Sequence, residues 1–500
     1  MKKRQTILIG YLLTLLVAAG ATAGVVAPDL QDAARTLAPE AEVPVIIRLN
    51  ETVDPKSFTD TDRAVRSSKI IKALIDRKDR TQKDLLKFLK DNKVKAPLSL
   101  WIVNGIAARV PVSLVDELAA LPLVDQVTLD AVISLPPAPV PAGTGFAPAV
   151  PESNIDAVRA PEMWALGYDG AGVVVAVMDY GVDAAHPDIG PRYRDGGNSW
   201  YDPYGQHAGP HDAFGHGTQV TGIIVGGDAG GSAIGVAPGA QWMAVKIFDD
   251  AGNATYSGIH AGYQWLLDPD DDPNTPDFPD IVNNSWFIEG TEGQCFTEFS
   301  DDIDTLKTAG IAVVFAAGNS GPSGGTSVSP GNNPGSFAVG AVMSSGTIAN
   351  FSSRGPSPPL ECGGGLYPQI AAPGVFIYTA DLTVHSVPYF SVTGTSFAAP
   401  HVSAAMALLA GAVPQATVSQ LQAALEGGAV DRGDPGADNT YGHGLLDVMG
   451  AYDWLLANVG SPFDGDGDGD ADGSDLAAYA AAPAGDLAAF AYGFGRSNEP

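Results

Sequence analysis

The sequence predicts an α/β protein: a parallel sheet with helices on both faces, preceded by a small α+β domain of βαββαβ order. Three observations predict it. In residues 152–457 short apolar runs bounded by turn residues (Val173–Met178, Ile281–Asn283, Ile311–Ala316) alternate with helical stretches (Ser257–Leu267, Phe299–Ala309, Phe397–Leu409). Buried strands that alternate with helices build a parallel sheet covered on both sides. Upstream, residues 41–134 read as a separate strand-and-helix series, and a Pro-rich stretch at 135–151 divides the two. With 500 residues, the chain is also too long for one compact core.

The chain begins with Met1-Lys2-Lys3-Arg4, an apolar run from Ile7 to Ala19 and the small residues Ala21-Thr22-Ala23. That pattern is a secretory signal peptide over residues 1–23, and no later apolar run has the character of a membrane span. In residues 41–134, Glu42–Asn50 is a strand. Asp60–Asp91 is amphipathic helix, with a break expected near Arg80-Thr81, where the apolar spacing lapses. Leu98–Val110 reads as a strand or hairpin, Val112–Leu121 as a short helix and Val124–Ile133 as a last strand. The linker at 135–151 has the composition of an extended, protease-accessible segment. Within 152–457, Asp268-Pro269-Asp270-Asp271-Asp272-Pro273 reads as a solvated acidic surface loop.

The net charge of −30 is unevenly spread: residues 1–135 carry 19 Lys and Arg against 16 Asp and Glu, whereas the remainder carries 8 against 41. So acidic a surface excludes a nucleic-acid partner and suits a medium whose ions screen it. Cys295 and Cys362 are the two cysteines. Export would allow them to pair, but spacing alone leaves a disulfide and two buried thiols equally open.

The tail, 461–500, changes character. Asp464, Asp466, Asp468, Asp472 and Asp475 stand at positions 1, 3, 5, 9 and 12 of a calcium-loop pattern, with Gly469 at the turn and Asp470 offering its carbonyl. Ca2+ is the cofactor this predicts, and the chemistry below requires none. The tail either docks to a calcium-dependent partner or stabilises the chain end.

Four segments carry the candidate chemistry. Asp179 closes the apolar run Val173–Met178, at the strand end where sites gather in open α/β sheets. His216 lies between Gly215 and Gly217, whereas His186, His207, His211, His260, His385, His401 and His443 have the setting of structural or surface residues. Asn319 sits in a glycine turn after Ile311–Ala316. Ser396 follows Gly394-Thr395 at the start of a helix, with Pro400 placed in that helix's first turn. An N-cap serine would look the same there, and what separates a nucleophile from a cap is the company of the other three residues.

The blocks Val177-Met178-Asp179-Tyr180-Gly181-Val182-Asp183, Gly215-His216-Gly217-Thr218, Ala316-Ala317-Gly318-Asn319 and Gly394-Thr395-Ser396-Phe397-Ala398-Ala399-Pro400-His401 resemble those of the subtilisin-like serine endopeptidases (subtilases, peptidase family S8). Trp242–Lys246, the acidic insert and Asn283-Asn284-Ser285-Trp286 look most like the bacillopeptidase F branch. The resemblance covers residues 152–457. Residues 41–134 look similar to the family's inhibitory propeptide, and the tail to a single dockerin-like calcium motif. It implies a subtilisin-like sheet and a secreted endopeptidase, made as an autoprocessed precursor and acting on protein and peptide substrates, with its own propeptide as intramolecular inhibitor. Ser396 would attack the scissile carbonyl, His216 would act as base and then acid, Asp179 would orient it, and Asn319 with the Ser396 amide would bind the oxyanion. Ser285 and Trp286 would pair with extended substrate, and Gly318 would line the specificity pocket.

The chain departs from that pattern at Tyr180, Gln219 and Phe287. At Asp188, a family calcium ligand, the completing loop is replaced by Gly226–Gly231, so that calcium site is not expected here. Two other readings compete: an inactive subtilase-fold protein that binds through the calcium module, and an acid-acting sedolisin-type hydrolase. The intact set of four residues opposes the first. His216 and Asn319 oppose the second, because that type uses Glu and Asp there.

Overall fold

The computed structural model describes residues 24–134 and 151–459, apart from residues 195 and 361. The signal peptide at 1–23, the linker at 135–150 and the tail with Asp464, Asp466, Asp468, Asp470, Asp472 and Asp475 lie outside the described residues.

Seven parallel strands form the main sheet: β1 (Val174–Asp179), β2 (Trp200–Tyr201), β3 (Gln241–Lys246), β4 (Ile281–Asn284), β5 (Ala312–Ala316), β6 (Phe337–Val342) and β7 (Ile370–Pro373). Their order is β7-β6-β5-β4-β1-β3-β2, with Val175 opposite Ile281 and Asp179 opposite Lys246. The chain builds outward one way from β1 to β3 and the other way from β4 to β7. The sheet therefore has its topological switch between β1 and β4, where α/β folds open a crevice beyond the strand ends.

Alternation along the strands feeds two cores. Val175, Val177, Trp242, Ala244, Ala312 and Val314 pack on one face with α1 (His216–Val225) and α4 (Thr395–Ala412). Ala176, Met178, Met243, Val245, Val313 and Phe315 pack on the other with α2 (Tyr256–Leu267) and α3 (Ser300–Ala309). The α/β architecture is thus as the sequence predicts. Among the described residues α4 alone is long and apolar enough to cross a membrane, and it is buried within the protein's own core. Cys295 and Cys362 form a disulfide with Cα atoms 5.6 Å apart. Closing a loop of 67 residues stabilises the fold by about 4 kcal/mol in the chain-entropy account.

Residues 24–134 form a five-stranded sheet in the order 25–26, 124–129, 42–49, 105–111, 98–100. The strand Val25–Val26 and the helix Pro28–Arg35 precede the elements expected from the sequence. The expected helix break at Arg80-Thr81 is absent: Arg63–Asp91 is one helix of 29 residues. Its apolar pattern lapses because the helix serves two cores in turn. Ile70, Ile71 and Leu74 enter the core shared with Trp286 and Phe299 of the sheet unit, whereas Leu85 and Leu89 enter the core of residues 24–134. The last strand is also split. Val124–Leu129 stays in the small sheet, and Val132–Ser134 pairs antiparallel with Asn253–Thr255 of the larger unit.

Side chains reinforce this docking. Asp130 accepts from the Ser257 N–H (2.9 Å) and hydroxyl (2.7 Å) in the first turn of α2, a favourable place for a carboxylate. Arg48 reaches Glu298 (2.7 Å), which also meets His260 (3.0 Å), and His260 meets Asp302 (2.9 Å). Burial opposes charge on both His260 and Glu298, but their partners outweigh it. His260 is raised to about 9, chiefly by Asp302, and Glu298 is lowered to about 2 by His260 and Arg48.

The acidic insert is not uniformly solvated. Asp268 is only 4% exposed, and burial together with the charges of Asp277 and Asp270 to Asp272 pushes it up to about 6. The reason is positional: Asp268 immediately follows the last turn of α2, so its side chain stays against the body of the protein while Asp270 to Asp272 lie outside.

Candidate active site

Asp179, fully buried, ends β1 at the switch point, and the Tyr180 N–H donates to its Oδ1 at 2.8 Å. His216 opens α1. Gly215 before it has φ 91°, and a Cβ on Gly217 after it would collide with the Gly181 carbonyl and lie 3.2 Å from the Asp179 Cβ. Glycine on both sides is what lets the helix start close over the end of β1. His216 Nδ1 then donates to Asp179 Oδ1 (2.8 Å) and Oδ2 (3.0 Å), leaving Nε2 as the lone-pair nitrogen of the neutral ring.

Burial disfavours the imidazolium, but the charge and hydrogen bond of Asp179 and the charge of Asp212 outweigh it, so His216 is held above its ordinary pKa. Asp212 escaped sequence reasoning. Its carboxylate accepts from the N–H groups of Phe214 (2.9 Å), Gly215 (2.8 Å) and Thr218 (3.0 Å) and from the Thr218 hydroxyl (2.8 Å). It thereby ties down the turn that presents His216. An acid four residues ahead of a glycine-flanked histidine, at a helix start, was the available signal.

Ser396 is the second residue of α4, since the helix begins at Thr395. Pro400 therefore lies in the helix interior, not in its first turn. Its missing N–H deprives the Ser396 carbonyl of an intrahelical partner. Ser285, just past β4, supplies the replacement: its Oγ donates to the Ser396 carbonyl at 2.7 Å. In return Ser396 Oγ donates to the Ser285 carbonyl at 3.1 Å. The structure does not hydrogen-bond Ser396 Oγ to His216. It brings the two elements together through the His216 and Phe397 rings, whose centroids are 5.4 Å apart. Nothing among the described residues accepts from the Ser396 N–H.

Asn319 follows β5 and is exposed. Its Oδ1 accepts from the Thr395 N–H (3.0 Å) and hydroxyl (2.9 Å), while Thr395 Oγ1 itself accepts from the Gly318 N–H (3.1 Å). With the amide oxygen so occupied, Nδ2 is the free end, 3.8 Å from where a Cβ of Gly394 would sit. Thr395 is thus a second contributor that sequence reasoning did not single out. Gly318 is buried at φ 89°, and any Cβ there would press on Val328.

The side chains of Ser285 and Trp286 do not face a cleft. Both residues are fully buried, and the Trp286 ring packs edge-on against Phe299 and Phe315. Only their backbone could meet an extended chain. Phe287 is also largely buried, whereas Tyr180 stacks on Phe248 (4.5 Å) and meets the His216 ring edge-on (6.1 Å). Gln219 points away to Asp381 (3.1 Å). Asp188 is occupied by protein donors, Ala229 N–H (2.6 Å) and the Tyr389 hydroxyl (2.7 Å).

Comparison with known proteins places the chain in a family. Residues 170–444 match the model of the subtilase family. The chain is 35% identical to bacillopeptidase F of Bacillus subtilis over 431 residues, which is 79% of this chain but 29% of that protein. It is 34% identical to subtilisin E of the same species over 355 residues, 70% of this chain and 81% of the relative. A thermostable alkaline protease of Halalkalibacterium halodurans is 33% identical over 280 residues, 56% of this chain and 67% of the relative. With a family model over more than half its length and subtilisin relatives matched across most of theirs, this chain belongs to the subtilase family of serine-type endopeptidases.

Proposed function

We propose that the protein is a secreted endopeptidase in which Asp179, His216 and Ser396 act as the catalytic triad and Asn319 with the Ser396 N–H forms the oxyanion hole. The observation that carries this reading is the pairing of partly buried His216 with fully buried Asp179, 2.8 Å apart, at the switch point where α4 begins. Neutral His216 would take the Ser396 proton through Nε2 as Oγ adds to the scissile carbonyl, then return it to the leaving amine. That step requires Ser396 Oγ to turn from the Ser285 carbonyl toward His216, the kind of tightening catalytic hydrogen bonds undergo when substrate binds. Extended substrate would lie along the backbone at Ser285-Trp286, and Gly318 would floor the pocket for the side chain before the cut.

Residues 41–134 would serve as the inhibitory propeptide, docked on α2 and α3 until the linker at 135–151 is cleaved by the enzyme itself. The basic start and apolar run at 1–23 support export, and the tail acidic loop supports calcium binding. Labelling with a fluorophosphonate probe tests the triad: the parent should label, and His216→Ala and Ser396→Ala should not. Labelling that persists in His216→Ala would overturn the assignment. Ser396→Ala made in a protease-free host should accumulate at full precursor mass, and its spontaneous maturation would rule out self-processing.

A further inference from the structure

We infer that the insert between α2 and β4 is a calcium site built by Asp268, Asp270 and Asp277, distinct from the acidic tail. Ligand oxygens of these three side chains lie within 4.8 Å of one another. Ca2+ holds oxygens at 2.3–2.6 Å, so it bridges pairs up to about 5 Å apart. A cluster of acids alone would not suffice, because solvated acids gather on any surface with this charge.

What separates this cluster is that two of its oxygens are buried with nothing to bond. Asp268 is 4% exposed, and its Oδ1 has no hydrogen-bond partner. Asp277 Oδ1 is likewise buried and unpartnered. A buried carboxylate oxygen without a donor is costly, and a cation is the partner that relieves several at once. The surroundings offer no substitute. Among the described residues, Arg194 directs its Nε, Nη1 and Nη2 donors to the Ser199 hydroxyl, the Asp277 carbonyl and the Asn198 carbonyl rather than to these carboxylate oxygens. Lys72 is bound to Asn274.

The loop is also pre-shaped. Thr275 Oγ1 holds both Asp270 oxygens at 2.8 Å, and Asn198 holds the other Asp277 oxygen. Acids at the alternate positions 268, 270 and 272 follow the spacing that lets a turn converge on one ion. All donors are hard oxygens, which favours Ca2+ over zinc or copper. A bound ion would join the end of α2 to the segment at 194–198 and the approach to β4, the strand that leads to Ser285.

The test uses the full-length Ser396→Ala protein, so that proteolysis does not intervene, with the tail disabled by Asp464→Asn, Asp466→Asn and Asp468→Asn. Calorimetric titration with CaCl2 should find one remaining site, with Kd between about 10⁻⁴ and 10⁻³ M as in extracellular calcium modules. Adding Asp268→Asn and Asp277→Asn should weaken it at least tenfold. Tb3+ emission sensitised by Trp265, in the last turn of α2, should fall with it.

Thermal unfolding gives the decisive contrast. In EGTA, Asp268→Asn should be at least as stable as its parent, because a buried unpaired charge is removed. In calcium the parent should gain stability and the variant should not. Calcium-dependent stabilisation that survives both substitutions would overturn the inference. So would absence of binding at about 10 mM Ca2+, above the weakest such sites, or an equal loss of stability in Asp268→Asn with and without calcium. Equal stabilisation by Mg2+ would overturn the choice of ion.

Discussion

Ser285 Oγ donates to the carbonyl of Ser396, the acceptor that Pro400 leaves without an intrahelical N–H. The break in α4 is thus sealed from the neighbouring strand, and the Ser396 peptide is pinned to the end of β4. Ser285→Ala should lower stability by about 1–3 kcal/mol, the cost of an unsatisfied buried acceptor, and should lower kcat. Pro400→Ala restores an N–H aimed at the same carbonyl. A double-mutant cycle in urea should therefore show Ser285→Ala costing less in the Pro400→Ala background. Strict additivity would mean the two residues do not share that acceptor.

The acid limb of kcat/KM should lie above pH 6.5, the ordinary histidine value, because Asp179 and Asp212 hold His216 in its charged form. The base must be neutral, so activity falls as pH drops through this raised pKa. Asp212→Asn should move the limb toward lower pH by removing one of the two charges. A pH–rate series on a small peptide substrate would check both statements.

Asn319→Leu should reduce kcat by roughly 10²–10³-fold with little change in KM, the loss typical of removing one oxyanion donor. Thr395→Val should produce the same pattern more weakly, because it frees the amide that Thr395 orients. Steady-state kinetics of both variants would separate positioning from substrate binding.

Arg48→Ala should destabilise the Ser396→Ala precursor by about 3 kcal/mol, since it leaves Glu298 buried with one partner fewer. The same network sets a pH dependence. His260 is raised to about 9, so its contribution is complete below about 6.5 and is lost as pH climbs through 9. Glu298 is lowered to about 2, so its contribution is present above about 4.5 and disappears as pH falls through 2. Denaturant unfolding of the precursor between pH 6 and pH 10 should show that decline, and His260→Gln should flatten it.

Much of this was legible in the sequence because strand ends and glycines carry local signals. Val173–Met178 announces a buried strand by composition, and its register fixes Asp179 at the carboxyl edge. Gly215 and Gly217 are readable because backbone crowding around His216 excludes other residues. The short strands β2 and β7 were not legible, since runs of two or four residues carry no period. Neither was the continuity of Arg63–Asp91, because a helix that changes partners midway shows the lapse expected of a break. Pro400 reads as a first-turn residue when the helix is counted from its apolar run, but Thr395 already adopts helical geometry. Asp268 is not legible as buried, because four acids in six residues look solvated until the position of α2 is known.

The core shared by Ile70, Ile71, Leu74, Trp286 and Phe299 has a further consequence. While residues 134 and 151 belong to one chain, that contact is intramolecular, and its effective concentration is fixed by the connecting segment. Under the proposed cleavage of that segment, the same contact becomes a two-body equilibrium. Its occupancy is then set by how dilute the protein is, and a change of volume releases what a change of contacts need not.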